Sequence, residues 1–235
     1  MYYPGLYIDK WYIILVVPAL ILTGLAQWKV KSTYAKWREY PNSRGMTGAQ
    51  VAQYMMDQNG IDDVSIQEIS GELSDHYDPS SKVVNLSHEV YAGTSIASIG
   101  IACHEVGHVI QHHTDYAPIK LRMAIIPLTN LGSTLAMPLI LLGIFINISG
   151  LAWLGILCFS LSTLFQLVTL PVEFDASHRA LRTIDSCGLF QGSDYRGAKS
   201  VLVAAALTYV AALFVSLMQL LRLVLIVSSR TSRDD

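Results

Sequence analysis

The chain has 235 residues, of which 52% are apolar and only 14% charged, with a net charge of −2. Soluble domains carry about 25% charged residues, so this composition points to a membrane protein and excludes a disordered, collagen-like or nucleic-acid-binding one. Three scattered cysteines, Cys103, Cys158 and Cys187, are too few for a disulfide framework or a cysteine-based zinc ribbon.

The first element is a span. Trp11 to Trp28 holds no charged residue, and its 18 residues cover about 27 Å as a helix. With one lysine and Pro4 before it and Pro18 within it, the segment reads as a retained anchor rather than a cleaved signal peptide.

Lys29 to Arg122 is the one stretch polar enough for a folded aqueous domain. Thr47-Gly48-Ala49-Gln50 opens a helix that Asn59-Gly60 closes. Val64 to Ile69 alternates like a strand, Asp78-Pro79-Ser80-Ser81 is a turn, and Lys82 to Leu86 is a second strand, so these predict a hairpin. His76, Tyr77 and Asp78 would be a polar cluster in the turn. Ser95 to His113 returns to a helical pattern.

Met123 to Val172 contains 50 residues without a charge, enough for two crossings joined at Asn147-Ile148-Ser149-Gly150. Ser200 to Leu221 is the fourth span, extended past Arg222 by Leu223 to Val227. Twelve of the 16 basic residues lie in the two segments that four crossings place on one side. The positive-inside rule puts those segments in the cytoplasm and both termini outside. Arg222 and the tail from Arg230 to Asp235 are left to lipid head groups or to nothing.

The chemistry is concentrated in the helix after Ser95. It contains His104-Glu105-Val106-Gly107-His108, a His-Glu-x-x-His pattern. Residues four apart on a helix are offset by about 40°, so both histidines point the same way and can grip one zinc. Glu105 then stands beside the metal as the general base for an attacking water.

A third ligand is needed. The metzincin pattern fails at Gln111 and Thr114, and His88-Glu89 lacks its second histidine because position 92 is Ala92. His112 lies about 12 Å along the axis from His104, too far to share an ion. No Leu-Asp-Gly-type motif marks a later span. Glu173 remains, since two crossings return the chain to the side it left; the alternative is an interfacial carboxylate paired with Arg179 or Lys120.

Three segments, Leu73 to Pro79, Ser95 to Gln111 and Pro171 to Leu181, resemble the bacterial YugP-like neutral zinc metallopeptidases of membranes. That group is similar to the gluzincin membrane proteases, which include the prenyl-protein (CAAX) and HtpX-type enzymes. The resemblance implies a zincin-like catalytic domain and one Zn2+ per chain held by His104, His108 and Glu173. Gluzincins of this kind carry Glu-x-x-Ala-Asp, and here Glu173-Phe174-Asp175-Ala176-Ser177 places serine where they have aspartate. Asp175 or His178 would then orient a ligating histidine. The resemblance also implies a strand that pairs with substrate backbone, for which Lys82 to Leu86 is the candidate. Tyr77 or His76 would donate to the oxyanion, or serve the turn.

The expected fold class is therefore a mainly α membrane protein, with four transmembrane helices and a cytoplasmic α+β domain containing a small β-hairpin or sheet. Its divisions are an anchor at 1–28, the catalytic domain at 29–122, a membrane hairpin at 123–172, a cytoplasmic segment with the third ligand at 173–199, and a last helix and tail at 200–235. The expected activity is a multi-pass, cell-membrane zinc endopeptidase acting on polypeptide, including membrane-associated chains. A zinc-binding scaffold without catalysis is the alternative; it would not need Glu105. A metal transporter is disfavoured, because the spans hold almost no charged residue or histidine.

Overall fold

A computed structural model describes residues 9–72 and 74–234, with the side chains of 230–234 excluded. Leu73 of the first family-like segment and the end of the C-terminal tail lie outside the described residues. The chain divides into two compact units, one formed by 1–26, 121–170 and 209–235, the other by 27–120 and 171–208.

The first unit is built from helices. A π-helical turn, Tyr12–Val16, leads into α1 (Val17–Arg38). Four helical stretches are long and apolar enough to cross a membrane: Tyr12–Arg38, Ala117–Phe145, Ser149–Ser186 and Gly192–Ser229. Leu131, Leu141, Phe145 and Leu157 are all more than half exposed, which suits lipid contact and would be costly in water. The expected turn at Asn147 is present. Asn147 takes φ +58°, and the N–H of Ile148 bonds to the carbonyl of Gly143. Gly143 has no room for a Cβ, which would stand 2.4 Å from the backbone nitrogen of Ala152, so the two helices meet there backbone to backbone. Arg222 is not left to lipid. Its guanidinium donates to Asp9 and lies 5.1 Å from the centre of the Tyr12 ring. A cation inside an apolar span is stable only with such a partner.

The second unit packs α2 (Gly48–Gln58), three strands, α3 (His88–Tyr91), α4 (Ile96–His113) and the C-terminal part of one long helix around a single core. Thr47 caps α2 as expected: its side chain accepts from the N–H of Gln50, and the Gln50 side chain accepts from the N–H of Thr47. Ser95 caps α4 by accepting from the N–H of Ser98. Val51, Met55 and Met56 of α2, Ile99, Cys103 and Val106 of α4, and Val84 and Leu86 are fully buried together.

The sheet departs from the expected hairpin. β1 (Ser65–Ile69) and β3 (Val83–Ser87) pair in parallel, and β2 (His76–Asp78) pairs antiparallel with β3, giving the order β1-β3-β2. Parallel strands cannot be joined by a tight turn. The turn at Asp78 to Ser81 therefore closes β2 onto β3, and His76, Tyr77 and Asp78 form an edge strand rather than a turn cluster. Their short polar run carries too little β signal to be read alone.

Helices α5 (Ala117–Phe145), α6 (Ser149–Ser186) and α7 (Gly192–Asp234) complete the order. α6 does not stop where its charge-free run ends at Val172. It continues without a break through Glu173 to Ser186, and its last turns belong to the second unit.

Candidate metal centre

Helix α4 presents His104 and His108 one turn apart, and their rings stand edge to face with centroids 4.8 Å apart. Glu173 reaches them from α6. Its Oε2 lies 3.2 Å from His104 Nε2 and 3.5 Å from His108 Nε2, and the carboxylate side chain is only 4% exposed. The three ligand atoms all fall within 4.8 Å of one another, so the group could hold a metal ion. A tetrahedral zinc with arms of 2.0–2.1 Å separates neighbouring ligand atoms by about 3.4 Å. The two observed separations bracket that value, and two imidazoles plus one carboxylate form a donor set that zinc takes. The residues present fit the ion.

α4 and α6 come close enough for this because of Gly107. A Cβ there would stand 2.3 Å from the carbonyl oxygen of Ala176. Glycine between the two histidines lets the α6 backbone pass directly over α4, while Ala176 and Ala180, both fully buried, keep the seam thin.

Glu105 is buried on the same helix, and its Oε2 accepts from the backbone N–H of Tyr77 at 3.0 Å. In an antiparallel pair, successive residues of an edge strand turn their backbone groups alternately inward and outward. The outward N–H of Tyr77 on β2 is the one that meets the carboxylate. Burial pushes the imidazole of His108 down, but the hydrogen bond to Glu173 and the charges of Glu105 and Glu173 outweigh it and hold the group above its usual value.

Residues 12–228 match a family model described as "Putative neutral zinc metallopeptidase". The chain belongs to this family. It is also 47% identical, over 92% of its length and 96% of the relative's, to "Putative membrane protease YugP" of Bacillus subtilis (strain 168). No solved structure matches the chain. With four apolar helices and a relative named as a membrane protease, this metallopeptidase-family chain is a multi-pass membrane protein.

The other residues singled out in the sequence fall into two groups. Ser177 faces His104 Nδ1 at 3.1 Å. Asp175 touches neither histidine; its carboxylate accepts from Gln111 and Arg179. His178 is exposed and outside this network. Neither expected alternative partner of Glu173 takes that place: Arg179 pairs with Asp175 and Lys120 with Asp115. His76 uses its ring nitrogens on the carbonyl of Ser74 and the amide of Asn85, and the Tyr77 ring lies edge-on to His112. The strand expected to meet substrate, Lys82 to Leu86, is β3. It is the centre of the sheet, with both edges already paired, so the edge strands are β1 and β2.

Gln111, which in the sequence does no more than break the metzincin pattern, belongs to the site. It is fully buried, and its side-chain oxygen lies 3.0 Å from His108 Nδ1. Its spacing of three from His108 on one helix was the available signal. A cavity of about 230 Å³ lies nearby, lined by Ile61, Val64, Tyr77, Val109 and His112 among others.

Proposed function

We propose that this chain is an integral-membrane zinc endopeptidase, gluzincin-like, with one Zn2+ held by His104, His108 and Glu173 and with Glu105 as general base. The observation that carries the proposal is the meeting of Glu173 Oε2 with both histidine Nε2 atoms at separations of 3.2 and 3.5 Å. A structural zinc site would close its fourth position with another protein ligand. Among the described residues the group that could hold a metal has three members, and a glutamate stands beside it.

When bound, zinc supplies Lewis-acid polarisation of the scissile carbonyl and acidifies a water at the open position. The chain's own residues do the rest. The N–H of Tyr77 holds one oxygen of Glu105, leaving the other to take the proton from the attacking water and pass it to the leaving amine. Apart from the Tyr77 N–H, which Glu105 holds, the outer edge of β2 offers its backbone to an extended polypeptide, and the cavity beside Tyr77 has room for one of its side chains.

The zincin-like domain comprises 29–122 together with 173–199; the anchor at 1–28, the hairpin at 123–172 and the last helix hold it to the bilayer. The distribution of lysine and arginine supports a cytoplasmic site. The test is zinc content of the detergent-purified protein by mass spectrometry, with casein cleavage measured in parallel. About one zinc per chain, lost in Glu173→Ala together with cleavage, is the expected result. Full occupancy in that variant removes Glu173 as a ligand, and no zinc in the wild type overturns the proposal.

A further inference from the structure

Gln111 sits between two ligands that come from different helices. Its amide nitrogen is 2.7 Å from the carbonyl oxygen of Val172 and 2.8 Å from Asp175 Oδ2. A carbonyl and an ionised carboxylate only accept, so the nitrogen end of the amide must face them. Its oxygen is left facing His108 Nδ1. Because that oxygen also only accepts, Nδ1 must carry a proton, which leaves Nε2, the nitrogen facing Glu173, as the one able to bind a metal.

The hold on Gln111 is itself braced. Arg179 donates to Asp175 through Nε and to the Thr114 hydroxyl through a terminal nitrogen at 3.0 Å, and its guanidinium lies 5.2 Å from the centre of the Tyr116 ring. Val172 directly precedes Glu173. The same amide therefore fixes the ring of one ligand and the backbone next to another.

We propose that Gln111 is the positioning residue of the metal centre, locking His108 in the tautomer that presents Nε2 and setting the distance from His108 to Glu173, with Asp175 and Arg179 holding the amide in that orientation. This rests on the zinc reading above. The partners of both histidines, Ser177 and Gln111, are uncharged. Lost partners of this kind typically cost 10–100-fold in metal affinity.

The experiment compares zinc affinity, by chelator competition, in the full-length wild type and in Gln111→Met, which keeps the length of the side chain and removes its hydrogen bonds. Thermal unfolding of the metal-free proteins is followed alongside. The expected result is zinc binding weaker by about 10–100-fold with the metal-free midpoint nearly unchanged. Affinity of Gln111→Met within about threefold of wild type overturns the proposal. If that variant does not fold, 15N shifts of His108 in the metal-free wild type at alkaline pH decide. Protonation at Nδ1 supports the assignment and protonation at Nε2 overturns it. A wild type that binds no zinc defeats the parent reading instead, and is distinguishable because no variant is then needed to see it.

Discussion

The backbone N–H of Tyr77 donates to Oε2 of Glu105 across 3.0 Å, tying the glutamate of the His-Glu-x-x-His helix to an edge strand of the sheet. The carboxylate is oriented by a main-chain group, so no side-chain substitution at position 77 other than proline removes the donor. A glutamine at position 105 can keep it by accepting through its own oxygen.

Glu105→Gln therefore retains fold and zinc while losing the base. Cleavage of casein is expected to fall by at least about 10²–10⁴-fold, with metal content equal to wild type. Turnover near the wild-type rate in the zinc-loaded variant would remove Glu105 from the role proposed for it.

Gly107→Ala tests the close approach of α4 and α6. The added methyl would lie 2.3 Å from the carbonyl oxygen of Ala176, which belongs to backbone and cannot swing aside. Separation of the helices should cost about 1–3 kcal/mol and draw Glu173 away from the histidines. Denaturant titration and zinc analysis on the same sample check this; unchanged stability and unchanged zinc would mean that the helices have slack the packing does not show.

Cys103 is a chemically silent thiol in the folded state. Burial in the core beside Met55 and Val106 pushes its pKa far up, so the reactive thiolate is suppressed and the reagent is also kept out. Cys158 and Cys187 are only partly buried. Maleimide labelling followed by peptide mass mapping should find Cys103 modified only after denaturation, and fast modification of Cys103 in the native protein would contradict the core assignment.

The Asp9–Arg222 pair predicts an acid-sensitive membrane unit. The Arg222 guanidinium holds the Asp9 carboxyl below its ordinary value of 3.8, with burial opposing. A depressed carboxylate contributes stability above the unfolded-state pKa and loses it as pH falls through the lower, folded-state value. Unfolding midpoints in detergent should drop as pH is taken below about 4, and Asp9→Asn should be less stable at neutral pH but flatter in that range. An identical acid profile in the variant would show that the pair contributes nothing.

Much of this protein was legible in its sequence because the relevant signals are local. Charge-free runs gave the four spans, since a bilayer core tolerates no exposed charge over about 20 helical residues. The i, i+4 spacing placed His104 and His108 on one side of a helix, and Thr47 and Gln50 announced their cap. Glu173 could be nominated by counting crossings.

What tertiary structure decided was every relationship between segments distant in sequence. Strand order is one: the pattern of Val64 to Ile69 and Lys82 to Leu86 is the same for parallel and antiparallel pairing, and only the crossover through β2 chose between them. The second is the surroundings of the ligands. Gln111 looks like any polar residue near a helix end until α6 lies across it, because its partners, Val172 and Asp175, are 61 and 64 residues away. Periodicity reports which face of a helix is buried. It carries no information about which polar atom will be waiting on the other side, and that is what fixed the tautomer of His108.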